Sequence, residues 1–114
     1  MGNRAVIVSH DTNKENADRK IGIYLHWYGS PESVKLFLSI AKDKIRNVDN
    51  DPSYFWARFC QIIANEIDGD NGQGALSIGI GIVSKLDTHN YDNGVYYING
   101  NFEIIKQTDG SEFD

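Results

Sequence analysis

The stretch KIGIYLHWYGSPE, residues 20–32, decides the fold class of this chain of 114 residues. Its first nine residues alternate between two sides, and this period of two predicts a β-strand with one buried face. The residues on the apolar side are Ile21, Ile23, Leu25 and Trp27. The alternation then stops, because Ser30 suits a helix N-cap and Pro31 suits the first helical position. We therefore expect a strand that is followed at once by a helix.

The segments on either side extend this pattern. RAVIVS, residues 4–9, is short and β-branched and predicts a strand that pairs with residues 20–28 across a polar loop. The first helix has a stripe of apolar residues with helical spacing, which predicts a face directed at the core. The stripe consists of Val34, Phe37, Leu38, Ala41 and Ile45. A second helix is expected to begin near Asp51-Pro52 and to run to about Ile67.

Three further strands are expected in the second half of the chain. They are residues 77–83, 95–98 and 102–106, and the last two flank Asn99-Gly100, which predicts a hairpin with a type I′ turn. The predicted fold is α+β, an antiparallel sheet of about five strands with two helices on one face. The element order is ββααβββ, in a single domain that comprises residues 1–114.

Charge and composition exclude several classes of function. The net charge of −5 argues against sequence-independent binding to duplex nucleic acid, which requires many basic residues. The single cysteine, Cys60, excludes an internal disulfide. The sequence has neither a signal-peptide pattern nor an apolar run of 18 residues, so we expect a cytoplasmic protein that makes no membrane contact.

The second helix has an unusual outer face. At 100° per residue its core face differs from the face that carries Tyr54, Arg58, Gln61 and Asn65. A guanidinium binds phosphate with two hydrogen bonds, an aromatic ring stacks on a base, and side-chain amides recognise polar edges. The alternative interpretation is an ordinary solvated helix face.

Two other stretches stand out. In the strand of residues 77–83, Gly79 and Gly81 lie on one face, which indicates that a ligand, a partner subunit or the protein's own helix approaches the backbone there. The loop LDTHNYDNG, residues 86–94, follows and is dense in donors and acceptors, among them Asn90, Asp92 and Asn93. Turn-forming residues that serve only the backbone are the alternative explanation of this loop.

Evidence for catalysis is thin. The three histidines are isolated and none has the spacing of a metal motif, and Cys60 lies on the core face of its helix. We therefore predict no catalytic residue, no metal and no cofactor. Tyr24, Tyr28, Tyr91 and either Tyr96 or Tyr97 are instead expected on a sheet face or a loop, where they would suit a binding surface. Part of that surface could be a homodimer interface that also covers the glycine-rich strand.

Four stretches together resemble a family of small phage and prophage proteins. They are GNRAVI (residues 2–7), IGIYLHW (21–27), FWARFCQIIAN (55–65) and LDTHNYDNGVYYI (86–98), and they span most of the chain. The family is identified as the Thoeris anti-defence sponges, which sequester cyclic ADP-ribose signals.

The resemblance implies a protein that binds a cyclic ADP-ribose isomer made by a TIR enzyme and does not cleave it. It implies a homodimer or a hexamer in the host cytoplasm, with ligands held between or beside subunits. The family's helix arginine falls on Arg58 of WAR, and its loop asparagine falls on Asn93 of DNG. The family has a further basic residue after its last strand, where this chain has only Lys106 nearby, followed by Gln107.

The two lines of reasoning together predict a ligand site. It consists of Arg58, Asn93, Asp92, Tyr54, Asn90 and Lys106, with Arg58 on the phosphates and the 87–93 loop on ribose and base groups. Two alternatives stay open. One is an interaction protein that inhibits a host defence protein directly, and the other is a small hydrolase of nucleotide derivatives.

Overall fold

A computed structural model describes residues 2–45, 52–67 and 77–114. The strands are β1 (Ala5–Ser9), β2 (Ile21–Leu25), β3 (Ile78–Ile82), β4 (Val95–Ile98) and β5 (Ile104–Thr108). The helices are α1 (Pro31–Lys44) and α2 (Pro52–Ile67), and short 3₁₀ turns follow at Val83–Lys85 and Ser111–Phe113. The predicted α+β class and the order ββααβββ are confirmed.

The five strands form one mixed sheet in the order β3-β2-β1-β4-β5. The prediction of a wholly antiparallel sheet is wrong at one pair, because β1 and β4 run parallel, with Val6 opposite Val95 and Ser9 opposite Ile98. The other three pairs are antiparallel, including the predicted pair of β1 with β2.

The path of the chain between β3 and β4 explains the parallel pair. Strand β3 ends at Ile82, beside the start of β2 and therefore at the end of the sheet where β1 finishes. Val83 and Leu86 then pack on the sheet face that carries Val6 and Val8. The following loop reaches the other end of the sheet, where the Gly94 carbonyl accepts a hydrogen bond from the Val6 amide. Strand β4 therefore starts where β1 starts.

Both helices pack on one face of the sheet. The apolar stripe predicted for α1 is buried in full. Helix α2 buries Phe55, Trp56, Phe59, Ile63 and Ile67 against the same face. Removal of apolar surface from water stabilises the fold by about 25 cal/mol per Å², and it is the main stabilising contribution here. Ser30 caps α1 as expected, by accepting a hydrogen bond from the Ser33 amide. Asp51, the predicted start of α2, lies outside the described residues.

Loops rather than helices cover the opposite face of the sheet. Ala17, Val83 and Leu86 pack there against Val8 and Tyr97, together with Phe113 from the C-terminal end. This face thus has its own small core. Tyr96 and Tyr97, one of which was expected at the surface, point to the two faces and are both buried.

The turn between β4 and β5 is longer than the predicted type I′ turn at Asn99-Gly100. Asn99 accepts, through its side-chain oxygen, hydrogen bonds from the amides of Asn101 and Glu103. Phe102 takes the left-handed backbone conformation, with φ of 60°. Its ring stacks on Phe55 with 5.1 Å between the ring centres. Burial of Phe102 in the core therefore delays β5 to Ile104, two residues later than predicted.

No helix in the described part of the chain is long and apolar enough to cross a membrane.

Candidate ligand-binding site

Arg58 and Tyr54 form a pair on the outer face of α2. Arg58 lies one helical turn after Tyr54, and its guanidinium carbon is 5.0 Å from the centre of the Tyr54 ring. Both residues are exposed, and so are Gln61 and Asn65, as the helical wheel predicted. Within the described ranges no carboxylate pairs with Arg58, so its guanidinium donors are open to a ligand.

Asn90 lies in the interior of the 87–93 loop and does not form part of its surface. Its side chain is fully buried. The side-chain amide donates to the carbonyls of Asp87 (3.0 Å) and Gly94 (3.1 Å). Its side-chain oxygen accepts from the amides of Asp92 (3.1 Å) and Gly94 (3.0 Å). Asn90 therefore holds the loop in shape, and any influence on a ligand passes through the positions of its neighbours.

Gly94 closes this loop against the last strand. Its φ is 67°, in the left-handed region, and a Cβ at this position would lie 1.9 Å from the Thr108 carbonyl oxygen. Only glycine fits this backbone and this approach. The backbone conformation of Gly94 thus fixes the path of the chain directly after Asn93.

Asp92 and Asn93 are tied to the chain segment that precedes β1. The Asp92 carboxylate accepts from the Arg4 side chain at 2.7 Å and from the Arg4 amide at 3.0 Å. Hydrogen bonding from Arg4 holds the pKa of Asp92 below its ordinary value and raises the pKa of Arg4. The Asn93 side-chain amide donates to the Asn3 side chain (2.6 Å) and to the Arg4 carbonyl (3.1 Å). Both side chains are therefore pre-oriented.

Lys106 lies on the loop-covered face of the sheet. Its ammonium group is 4.5 Å from the centre of the Tyr97 ring. The Tyr97 hydroxyl donates a short hydrogen bond to Glu112. Burial, and then this hydrogen bond, raise the pKa of Tyr97 well above its ordinary value. Lys106 is thus held by an aromatic ring and lies beside an acidic group.

The predicted site residues fall into two groups within one protomer. Helix α2 begins beside Ser9 and Ile98, the ends of β1 and β4, whereas Asn93 lies beside Arg4 at their other end. A strand of five residues such as β1 is about 17 Å long. Lys106 is further separated from α2 by the sheet itself. Arg58 and Tyr54 therefore do not share a surface with Asn93, Asp92 and Lys106.

Sequence reasoning missed the part that Asn3 and Arg4 play beside the loop. They are about 90 residues away from it along the chain, and only the parallel pairing of β1 with β4 brings them together. Sequence reasoning did single out Tyr91, which is 82% exposed and stacks on His89 with 4.5 Å between ring centres. An arginine immediately before a strand gave no signal of its own.

An open cleft lies beside the start of α2, between the helix and the ends of β1 and β4. Its volume is about 310 Å³, within the usual range for small-molecule sites. Its walls include His10, Arg19 and Lys20 together with Phe55 and Trp56. Lys20 is occupied by Asp11 at 2.8 Å. None of the six predicted site residues lines this cleft.

Among the described residues, no group of three or more histidine, cysteine, aspartate or glutamate side chains is arranged to hold a metal ion. Burial raises the pKa of the half-buried Cys60 thiol, which is typical of a packing residue.

Comparisons of this chain with protein-family models, with curated proteins and with solved structures find no match.

Proposed function

We propose that this protein binds a cyclic ADP-ribose isomer made by a TIR enzyme and holds it without cleaving it, as a phage anti-defence sponge. The observation that carries the proposal is the exposed pair of Arg58 with Tyr54, because Arg58 has no carboxylate partner in the described part of the chain. The resemblance of the four sequence stretches to the Thoeris anti-defence sponges supplies the identity of the signal.

The chemistry of the pair suits such a ligand. A guanidinium presents its donors in a planar fork that matches two phosphate oxygens, and a cyclic ADP-ribose carries a pyrophosphate. Tyr54 is 55% exposed, so that ring surface remains available for stacking on adenine. Gln61 and Asn65, further along the same face of α2, add hydrogen-bonding groups.

The 87–93 loop would supply the polar contacts to ribose and base. Asn93 and Asp92 are already held by Asn3 and Arg4, so little side-chain entropy is lost when a ligand binds. Asn90 contributes by holding the loop in shape. Such pre-organisation favours tight binding, and a sponge needs nothing more, because it stabilises no transition state.

A homo-oligomer would bring the two groups of residues together. Because Arg58 and Asn93 lie in different regions of one protomer, a ligand that touches both must lie between two copies. Arg58 and Tyr54 of one copy would then face the 87–93 loop and Lys106 of another. This arrangement agrees with the homodimer or hexamer implied by the family resemblance.

Isothermal titration calorimetry with cyclic ADP-ribose isomers tests the proposal, followed by mass spectrometry of the ligand recovered after the protein is boiled. The expected result is tight binding to at least one isomer and recovery of the intact ligand. Altered ligand would identify a hydrolase. The absence of heat with every isomer would overturn the proposal and favour the alternative, direct inhibition of a host defence protein.

A further inference from the structure

Within the described part of the chain, strand β3 forms an edge of the sheet without the usual protection of edge strands. Its sequence is Ile78-Gly79-Ile80-Gly81-Ile82, and no described strand lies beyond it. Natural edge strands are commonly blunted by charged residues, proline or a bulge, because a bare edge pairs with other chains. None of these features occurs within β3.

The isoleucines of β3 are left partly uncovered by the helices. Ile78, Ile80 and Ile82 stand opposite Leu25, Ile23 and Ile21 of β2 and so share the helix-covered face. Ile80 is nevertheless 52% exposed, and Ile82 and its neighbour Ile21 are also exposed. An apolar strip without any charge therefore continues to the rim of the sheet.

The backbone groups of the three isoleucines point out of the sheet. The His26 amide donates to the Ser77 carbonyl, and the Val83 amide donates to the Lys20 carbonyl. Because ladder bonds of an antiparallel pair alternate, Gly79 and Gly81 are the residues of β3 that bond to β2. The N–H and C=O groups of Ile78, Ile80 and Ile82 are then directed at the open edge.

The two glycines are not required by the fold of the protomer. A Cβ on Gly79 would lie 3.7 Å from Tyr24, and one on Gly81 would lie 3.6 Å from Leu86, which are ordinary contact distances. By contrast, a Cβ on Gly22 of β2 would lie 3.1 Å from the Ile7 carbonyl oxygen. Packing inside the protomer therefore does not explain Gly79 and Gly81, and β3 presents no side chain on the loop-covered side of this edge.

We propose that β3 pairs antiparallel with β3 of a second copy of this chain, about a two-fold axis through Ile80. The sequence IGIGI reads the same in both directions, so Ile80 faces its own copy, Ile78 faces Ile82 of the partner, and Gly79 faces Gly81 of the partner. Every outward-directed isoleucine N–H and C=O group then finds a partner, which gives about six hydrogen bonds.

The symmetry of IGIGI favours a second copy of this chain, rather than an unrelated strand, as the partner at the β3 edge. A two-fold axis makes the same surface serve both copies and leaves neither β3 edge unpaired, whereas an open edge of this kind would continue to aggregate. The strand IGIGI has no charged side chain, so two protomers of net charge −5 bring no like charges together within β3. The two sheets become one, with all four helices on the same side and the isoleucines of both copies between them.

The oligomeric state without any ligand tests this interface, and the titration with cyclic ADP-ribose isomers remains the separate test of the proposed function. Sedimentation equilibrium should give a mass of at least two protomers for the wild type, and Ile80→Lys should halve that mass. Ile105→Lys is the matched control, because Ile105 is 55% exposed on β5 at the opposite edge of the sheet, and it should leave the mass unchanged.

Disulfide formation tests the register. In a Cys60→Ser background, Ile80→Cys should cross-link to its own copy on oxidation, because directly opposite residues of a hydrogen-bonded pair have Cα atoms about 5.5 Å apart. Ile78→Cys should cross-link to Ile82→Cys when the two variants are mixed. Ile105→Cys should form no intermolecular disulfide. A monomeric wild type, or an oligomer that persists in Ile80→Lys and is not cross-linked through residue 80, would overturn the proposal.

Discussion

The guanidinium carbon of Arg58 lies 5.0 Å from the centre of the Tyr54 ring, one turn away on the outer face of α2. The contact orders a long side chain at a surface where nothing else in the described part of the chain holds it. An exposed cation–π contact of this kind contributes only about 0.5–1 kcal/mol to stability. The pair therefore matters more for what it presents to a ligand than for the fold.

Replacing Arg58 by alanine should weaken the binding of a cyclic ADP-ribose isomer about 100-fold, because two charge-assisted hydrogen bonds of about 1.5 kcal/mol each are lost. Titration calorimetry measures the change. Arg58→Lys should give an intermediate affinity, since the charge remains but the planar fork does not. Lys35→Ala, at an exposed position of α1, is the control and should bind normally. Undiminished binding by Arg58→Ala would remove this residue from the site.

Asn90→Ala should lower the free energy of unfolding by about 3 kcal/mol, because the amides of Asp92 and Gly94 lose their buried acceptor. Urea denaturation measures the effect. Asn101→Ala, in the exposed turn between β4 and β5, should change the free energy by less than about 0.5 kcal/mol. Equal effects in the two variants would contradict the role of Asn90 as the centre of its loop.

The ion pair of Arg4 with Asp92 should stabilise the protein only above acidic pH. The pKa of Asp92 is lower in the folded state than its ordinary value of 3.8. The contribution of Asp92 is therefore complete above about pH 4 and is lost as the pH falls through the lowered folded-state value. Thermal unfolding between pH 7 and pH 2 should show Asp92→Asn less stable than the wild type near neutrality, with a difference that shrinks in acid. Asn101→Ala, at an exposed position of the turn between β4 and β5, should show no such convergence.

Tyr96 should make the protein sensitive to alkali. Burial raises its pKa from 10.0 to about 12, and its hydroxyl donates to the Gly29 carbonyl at 2.8 Å. A raised folded-state pKa contributes stability that is complete below pH 10 and is lost as the pH rises to about 12. Urea midpoints measured from pH 8 to pH 12 should fall less steeply for Tyr96→Phe than for the wild type. Asn101→Ala, at an exposed position, should follow the wild type.

Local chemistry was sufficient to predict most of the elements. The alternation in residues 20–28, the Ser30 cap and the apolar stripe of α1 each depend on neighbours within a few residues. The Asn99-Gly100 turn depends on distant contacts instead. Phe102 is buried against Phe55 of α2, and this packing outweighs the local preference of Asn-Gly for a two-residue turn.

The candidate site divides in the same way. The helical period alone placed Tyr54 and Arg58 together on the exposed face of α2, because residues four apart are neighbours on any helix. It could not place Asn3 and Arg4 against Asn93 and Asp92, since that contact requires the parallel pairing of β1 with β4. The burial of Asn90 likewise follows from the loop's position against both strands.

By itself, the sequence determined the order of strands and helices, the buried faces of the two helices and the outward direction of Arg58, because these follow from backbone periods and local capping. Only the tertiary structure decided that the sheet is mixed, that Arg58 and Asn93 lie in different regions of one protomer, and that β3 is an edge strand among the described residues. Those properties depend on how the chain crosses the loop-covered face of the sheet after Val83, and no short-range preference specifies that path.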